Sequence, residues 1–353
     1  MKLRVNQSIF ISTVLIFFSS LACNAAANFK TTPTPTIPPP TNTALPPTAT
    51  LVPPTATSTP VVVCSEVLSN IFDIVHPNGD VADNLRGEPN DEDNNNFYVL
   101  TTYRVNYEKI SLESNEPAPE ELVKFQEQQD VHQEIWDFYT ALFPKEHRSM
   151  IGNFTIITDG KNEILAAVRQ TNNNPNKWVL EVDIADVANS RELTYTLIHE
   201  FAHLLTLNTK QVTPSHDVFD NPGDQQVFAH EALRCDQYFM YTGCSQPKSY
   251  INAFYDEFWV DIYSEWEDTD SSNGEQRYDN LNAFYHKYQD RFVTDYAVVN
   301  PVEDIAESFS FFILSPEPTG ETISEKKILF FYKFPELVKL RDEIRKQICS
   351  LNP

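Results

Sequence analysis

Between residues 190 and 207, apolar side chains return at helical spacing, at Leu193, Leu197, Phe201 and Leu204. That period predicts a helix. Ile198, Ala202 and Leu205 carry the apolar surface onto the flanks, so little of this helix is expected to face water. Asn189 or Ser190 is placed to cap its start, and Glu192 suits its first turn. A second apolar helix is expected over 301–314, where Ile305, Phe309, Phe312 and Ile313 form a core face and Pro301 fits the first turn. Helical periodicity also runs from Pro119 to Phe143, through Leu122, Phe125, Ile135, Phe138 and Leu142. Further helices are predicted at about 225–239, 247–266, 277–289 and 323–348.

Strand signals cluster earlier in the chain. "FYVLTTYRVNYEKI" (97–110) is rich in aromatic and β-branched residues and contains a strand. "NFTIIT" (153–158), "EILAAVRQT" (163–171) and "KWVLEVDIA" (177–185) follow, the last two separated by the turn-forming "NNNPN", which predicts a hairpin. A small mixed sheet followed by a mostly helical region is an α+β arrangement. The acidic runs "GEPNDEDNNN" (87–96) and "EDTDSSNGEQ" (267–276) lack the spacing of a calcium loop and read as solvated loops. No internal repeat is present.

The first sixty of the 353 residues do not belong to that domain. Lys2 and Arg4 precede an apolar stretch from Ile9 to Leu21 and then small residues, the pattern of a secretory signal, residues 1–23. "SLAC" resembles a bacterial lipobox, which makes Cys23 a lipidation candidate; cleavage after the alanines at 25–27 is the alternative. Residues 24–63 form a linker, and its Pro/Thr-rich run from Thr31 to Pro60 favours extended polyproline II, a stalk on the order of 90 Å long. The folded domain is therefore expected over 64–353 of a secreted or surface-tethered chain, with membrane contact only through an N-terminal lipid. Four cysteines remain, and Cys235 with Cys244 and Cys64 with Cys349 is the preferred pairing. The formal charge of −24 becomes −26 without Lys2 and Arg4, which argues against nucleic acid as a partner.

The candidate chemistry lies in the first helix. His199 and His203 are four residues apart, so their rings can converge on one point, and Glu200 stands beside them. Burying two histidines and a glutamate without purpose costs desolvation, whereas a zinc ion uses all three in the HExxH pattern. A third ligand is then required. The metzincin continuation fails, because "LLTLNTKQV" supplies neither its glycine nor its histidine. Glu303 and Glu307 lie one turn apart in the other apolar helix and need a partner there. His216, Asp217, Asp220, Asp224, His230 and Glu231 are rival ligands in the intervening segment.

Together, "HEFAH" (199–203) and "DYAVVNPVEDIAESF" (295–309) resemble the catalytic domain of the anthrax lethal factor type, a gluzincin branch of zinc metallopeptidases. The resemblance covers roughly 150–315 in outline and is specific only in those two segments. It implies a zincin-like domain with one Zn2+ held by His199, His203 and Glu303, and Glu307 supporting the site from behind. It also implies that Tyr296, seven residues before Glu303, points into the active site. The 99 residues between His203 and Glu303 exceed the family's shorter members, so about 208–275 is read as an inserted helical subregion able to cap the cleft.

In such a site the fourth zinc position holds a water that ionises near neutral pH. Glu200 is the expected base and proton carrier, and Tyr296 the expected donor to the oxyanion. The strand "WVLEV" (178–182) is a candidate edge for pairing an extended peptide, or an ordinary core strand. The leading expectation is a zinc peptidase acting on a peptide or protein substrate. The alternatives are a stalked cell-surface binding protein with a structural or retired zinc site, and a non-peptide amidase. His76, His132, His147 and His286 are expected to face solvent.

Overall fold

The computed structural model describes residues 64–75 and 97–351, apart from 107, 161–163, 172–173, 222 and 271–274. The signal, Cys23, the stalk, His76 and the acidic run before residue 97 lie outside the described residues.

Five strands make one mixed sheet: β1 (Tyr98–Asn106), β2 (Lys109–Asn115), β3 (Ile151–Thr158), β4 (Ala166–Thr171) and β5 (Asn174–Asp183), in the order β2-β1-β3-β5-β4. β5 runs parallel to β3 and antiparallel to β4, so the predicted hairpin is present. Alternate residues Phe154, Ile156, Leu180, Val182, Ala166 and Val168 are all fully buried, which fixes which face of the sheet carries the core. "WVLEV" lies inside β5, between two neighbours. It is a core strand, and the edge on that side is β4. The run 97–110 contributes β1 and the start of β2; in β2 the exposed, mostly polar sequence gives no period to read.

The helices follow the expected periodicity, with breaks where the backbone finds other partners. The stretch 119–143 divides into α2 (Glu120–Gln126) and α3 (Gln129–Leu142). At the break, the buried Gln126 side chain donates to Leu100 O and Glu116 O, fastening α2 to the sheet. After α4 (Lys145–Arg148), α5 (Ser190–Leu207) occupies the predicted span, and Asn189 Oδ1 accepts from the backbone N–H of Arg191 and Glu192. α6 (His216–Asp220) and α7 (Gln225–Ala232) come next; the expected helix to residue 239 stops at Ala232. A small sheet, β6 (Val212–Pro214), β7 (Phe239–Met240) and β8 (Gly243–Ser245), follows in the order β6-β8-β7. Gly243, at φ +134°, lies so close to β6 that a Cβ would stand 2.1 Å from Thr213 O.

Residues 247–266 divide into α8 (Tyr250–Phe258) and α9 (Tyr263–Asp270), followed by α10 (Glu275–Lys287) and α11 (Pro301–Leu314). The last predicted helix breaks before Pro335 into α12 (Ile323–Tyr332) and α13 (Pro335–Leu351), since proline cannot supply the N–H that continuity needs. Segment 208–275 is built into the common core: Phe254 of α8 and Trp259 after it are fully buried, and the Phe254 ring lies 5.4 Å from that of Phe330 on α12.

One helix was not anticipated. α1 (Cys64–Val75) buries Val67, Leu68 and Ile71 and packs against α5 and α13. Cys64 pairs with Cys349 and Cys235 with Cys244, as preferred from the sequence. Two disulfides fit a chain folded in an oxidising compartment. No described helix is long and apolar enough to cross a membrane.

Candidate metal centre

α5 enters directly from β5 and packs against the β4 edge and against α11. This crossing of two apolar helices brings together residues 104 apart in sequence. His199 Nε2 lies 3.0 Å from Glu303 Oε2, His203 Nε2 lies 3.1 Å from His199 Nε2, and His203 Nε2 lies 3.4 Å from the same Glu303 oxygen. All three side chains are buried, at 3 %, 1 % and 4 % exposure for His199, His203 and Glu303. Three potential ligand atoms thus converge on one point, and the group can hold a metal ion. Glu307, one turn on from Glu303, is fully buried too.

Glu303 and His199 are each held from behind. Asn300 caps α11 by accepting from Val302 N and Glu303 N, which places Glu303 in the first helical turn, where the helix dipole favours an anion. Glu307 Oε1 accepts from His199 Nδ1 at 2.7 Å. That bond keeps a proton on Nδ1, so that in the neutral ring Nε2 is the nitrogen with the lone pair, on the side of Glu303 and His203. Glu307 Oε2 accepts from Tyr195 Oη at 3.1 Å and Thr294 Oγ1 at 2.8 Å. No motif in the sequence marks Tyr195 or Thr294. Tyr195 is four residues before His199 on the same helical face, a spacing that would have pointed to it.

Glu200 is 1 % exposed, and its Oε2 accepts from Val168 N of the edge strand β4 at 2.9 Å. Burial pushes its carboxyl up to about 8; the Glu303 and Glu181 charges add to this, while His199 and the Val168 N–H oppose it. Burial alone would also lower His199, but the Glu303 and Glu307 carboxylates hold it well above the ordinary histidine value. Against burial, His203 and His199 draw Glu303 well below the usual carboxylate range. The tyrosine at 296 sits in a 3-10 turn, Tyr296–Val298, with its ring 6.0 Å from His199. Its hydroxyl is buried and makes no hydrogen bond of ordinary geometry; burial first, and then the nearby Glu303 charge, push its pKa well up.

Other expected positions divide cleanly. His216, Asp217, Asp220, Asp224 and His230 are exposed, Glu231 bonds Ser215 and Arg234, and none joins the metal group. His286 is exposed as expected, but His132 is fully buried, bonded through Nδ1 to Tyr103 Oη at 2.7 Å and through Nε2 to Phe125 O at 2.9 Å. The expectation that it faces solvent is wrong because the α2–α3 break brings the Phe125 carbonyl, which also accepts from Gln128 N, to its ring. No family model matches the chain, and neither any curated protein nor any solved structure matches it.

Proposed function

We propose that the chain is a secreted or surface-tethered zinc peptidase of the gluzincin type, with His199, His203 and Glu303 as zinc ligands. The observation that carries this reading is the mutual spacing of the three ligand atoms. Atoms about 2.0–2.1 Å from one tetrahedral zinc stand roughly 3.3 Å apart, and the separations here are 3.0, 3.1 and 3.4 Å. Two imidazoles with one carboxylate are also a donor set that suits zinc. The chemistry that zinc supplies in such a site is Lewis acidity and a water acidified toward neutral pH.

The chain's own groups supply the rest. Glu200 offers its second oxygen as a proton acceptor from water and then as the carrier of that proton to the leaving amine. Its anchoring by Val168 N keeps the carboxylate aimed while it changes charge. A dication beside it lowers its pKa from the raised value of the metal-free chain, into the range where a base works at neutral pH. Tyr296, with its hydroxyl uncommitted, donates to the oxygen that gains charge when a peptide carbonyl is attacked. β4, the last strand of the sheet on the side of Glu200, is the candidate for pairing an extended peptide, with its Val168 N–H already taken by Glu200.

Among the described residues, no fourth histidine, cysteine or carboxylate joins the three ligands, whereas a structural zinc site ordinarily closes with four. The test is metal content and peptide-library cleavage on the parent, Glu303→Ala and Glu200→Gln. One zinc per chain, lost in Glu303→Ala and kept in an inactive Glu200→Gln, supports the reading. Zinc bound by the parent without any cleavage would instead favour the stalked binding protein.

A further inference from the structure

Thr294 stands where the two sides of the centre meet, and it is fully buried. Its Oγ1 has two bonds: it donates to Glu307 Oε2 at 2.8 Å and accepts from Ala297 N at 3.1 Å. Ala297 belongs to the turn that carries Tyr296, so one hydroxyl ties that turn to the carboxylate behind His199. A hydroxyl that merely closed a turn would leave its proton free for any acceptor. Here the proton is committed to Glu307, and the backbone N–H fixes the direction in which it points.

The arrangement on Glu307 is lopsided. Oε2 takes both hydroxyls, Thr294 and Tyr195, while Oε1 faces only His199 Nδ1 among these three donors. Turning the carboxylate would break two buried hydrogen bonds to hydroxyls as well as the one to His199. We propose that Thr294 is a positioning residue: it locks Glu307 so that Oε1 receives His199 Nδ1–H, and thereby aims the Nε2 lone pair at the metal. The inference rests on the metal reading above.

Zinc affinity of the full chain, measured by competition with a chromophoric chelator, tests it. Thr294→Val keeps the shape and removes the donor, and weakens zinc binding about tenfold, the lower end of what a supporting partner of a metal-bound histidine carries. Thr294→Ser retains the hydroxyl and restores affinity to within about twofold of the parent. Thr294→Ala, which has no bulk to misplace, shows the same loss as valine, with the melting temperature of each metal-free variant reporting its folding. Because Thr294 acts through Glu307, adding Thr294→Val to Glu307→Gln costs nothing further, whereas independent roles would add. Parent-like affinity in Thr294→Val, failure of serine to rescue, or additive losses with Glu307→Gln would overturn the proposal while leaving the ligand set intact. A parent that binds no zinc would overturn both readings, a result distinct from the other three.

Discussion

Glu303 and Asp304 are neighbours in the first turn of α11, both buried, and the fold answers them in opposite ways. Asp304 meets the ammonium of Lys327 from α12 and accepts from Trp259 Nε1 at 2.7 Å and Ser308 Oγ at 3.4 Å. The Lys327 ammonium lies 4.2 Å from the centre of the Phe292 ring, a second source of attraction. Burial pushes Asp304 up and Lys327 down, and the ion pair opposes both shifts. That charge is closed within the chain. Glu303 meets two imidazole nitrogens instead, and an imidazole, unlike the Lys327 ammonium, can release its proton and offer a lone pair in its place. A buried acid facing an ammonium is closed within the chain; one facing two imidazoles belongs to a group that can hold a metal ion.

Removing the ligand carboxylate makes the largest difference between the two. Glu303→Ala is expected to weaken zinc binding by more than the about 100-fold that a supporting residue can carry, and to lower the metal-free melting temperature as well, since the buried imidazoles lose their carboxylate. Equilibrium dialysis against buffered zinc reads it, and retention of stoichiometric zinc at micromolar free metal would show that the third ligand lies elsewhere. Lys327→Met attacks the other carboxylate. It leaves a buried charge without a partner and is expected to cost about 3–5 kcal/mol in denaturant unfolding, most of it recovered when Asp304→Leu is added. If the folded Lys327→Met chain also lost its zinc completely, the two clusters would be one unit and the contrast between them would dissolve.

These adjacent acids also show what the sequence can and cannot tell. The helices α5 and α11 were legible because their apolar periods are strong, and His199, Glu200 and His203 because four-residue spacing sets two rings on one face. Glu303 was legible only as one of two acids in an apolar helix, and the resemblance chose between them. Asp304 was not legible at all, since its partner Lys327 lies 23 residues on and only tertiary packing joins them. Thr294 and Tyr195 were missed for the same reason: a hydroxyl in sequence does not declare its acceptor. α1 escaped notice because its sequence follows closely on the Pro/Thr-rich run and it owes its place to packing on α5 and α13. The helices read as continuous through 119–143 and 323–348 show the limit of periodicity, which does not see a break made by a buried Gln126 or by Pro335.

Proton linkage sharpens the contrast further. In the metal-free chain Glu200 holds its proton up to about 8, against an ordinary value of 4.5. A carboxyl that binds its proton more tightly folded than unfolded contributes stability at low pH and loses it as pH rises between those values. His199, also raised, adds a second decline that begins near its ordinary value of 6.5. Glu303 is lowered, so its contribution is complete above 4.5 and is lost only in acid. Urea midpoints of metal-free protein are therefore expected to fall from about pH 5 through pH 8. Glu200→Gln removes its own share of that fall and leaves the shares of His199 and of Asp183, whose carboxyl burial pushes up to about 7. Zinc reverses the trend, because its ligands bind metal in competition with protons and the stabilisation it gives grows with pH. A metal-free stability that rises across this range would contradict the charge states assigned to the centre.

The smallest effect separates the two acids most cleanly. Trp259 donates to Asp304 Oδ2 from a fully buried position, and its ring also packs at 5.6 Å from Phe292. Trp259→Phe keeps an aromatic ring there and removes the N–H. A hydrogen bond to a charged group is worth about 1.5–3 kcal/mol, so unfolding should become easier by that order. Zinc affinity should stay within about twofold of the parent, because sites with no shared partner add independently. The two measurements must be made on the same preparation. A stability loss with unchanged zinc binding shows that adjacent carboxylates on one helical turn serve separate ends, one holding α11 to α8 and α12, the other left for the metal. A parallel loss of zinc affinity would mean that the Asp304 cluster sets the position of the α11 turn, and Glu303 with it.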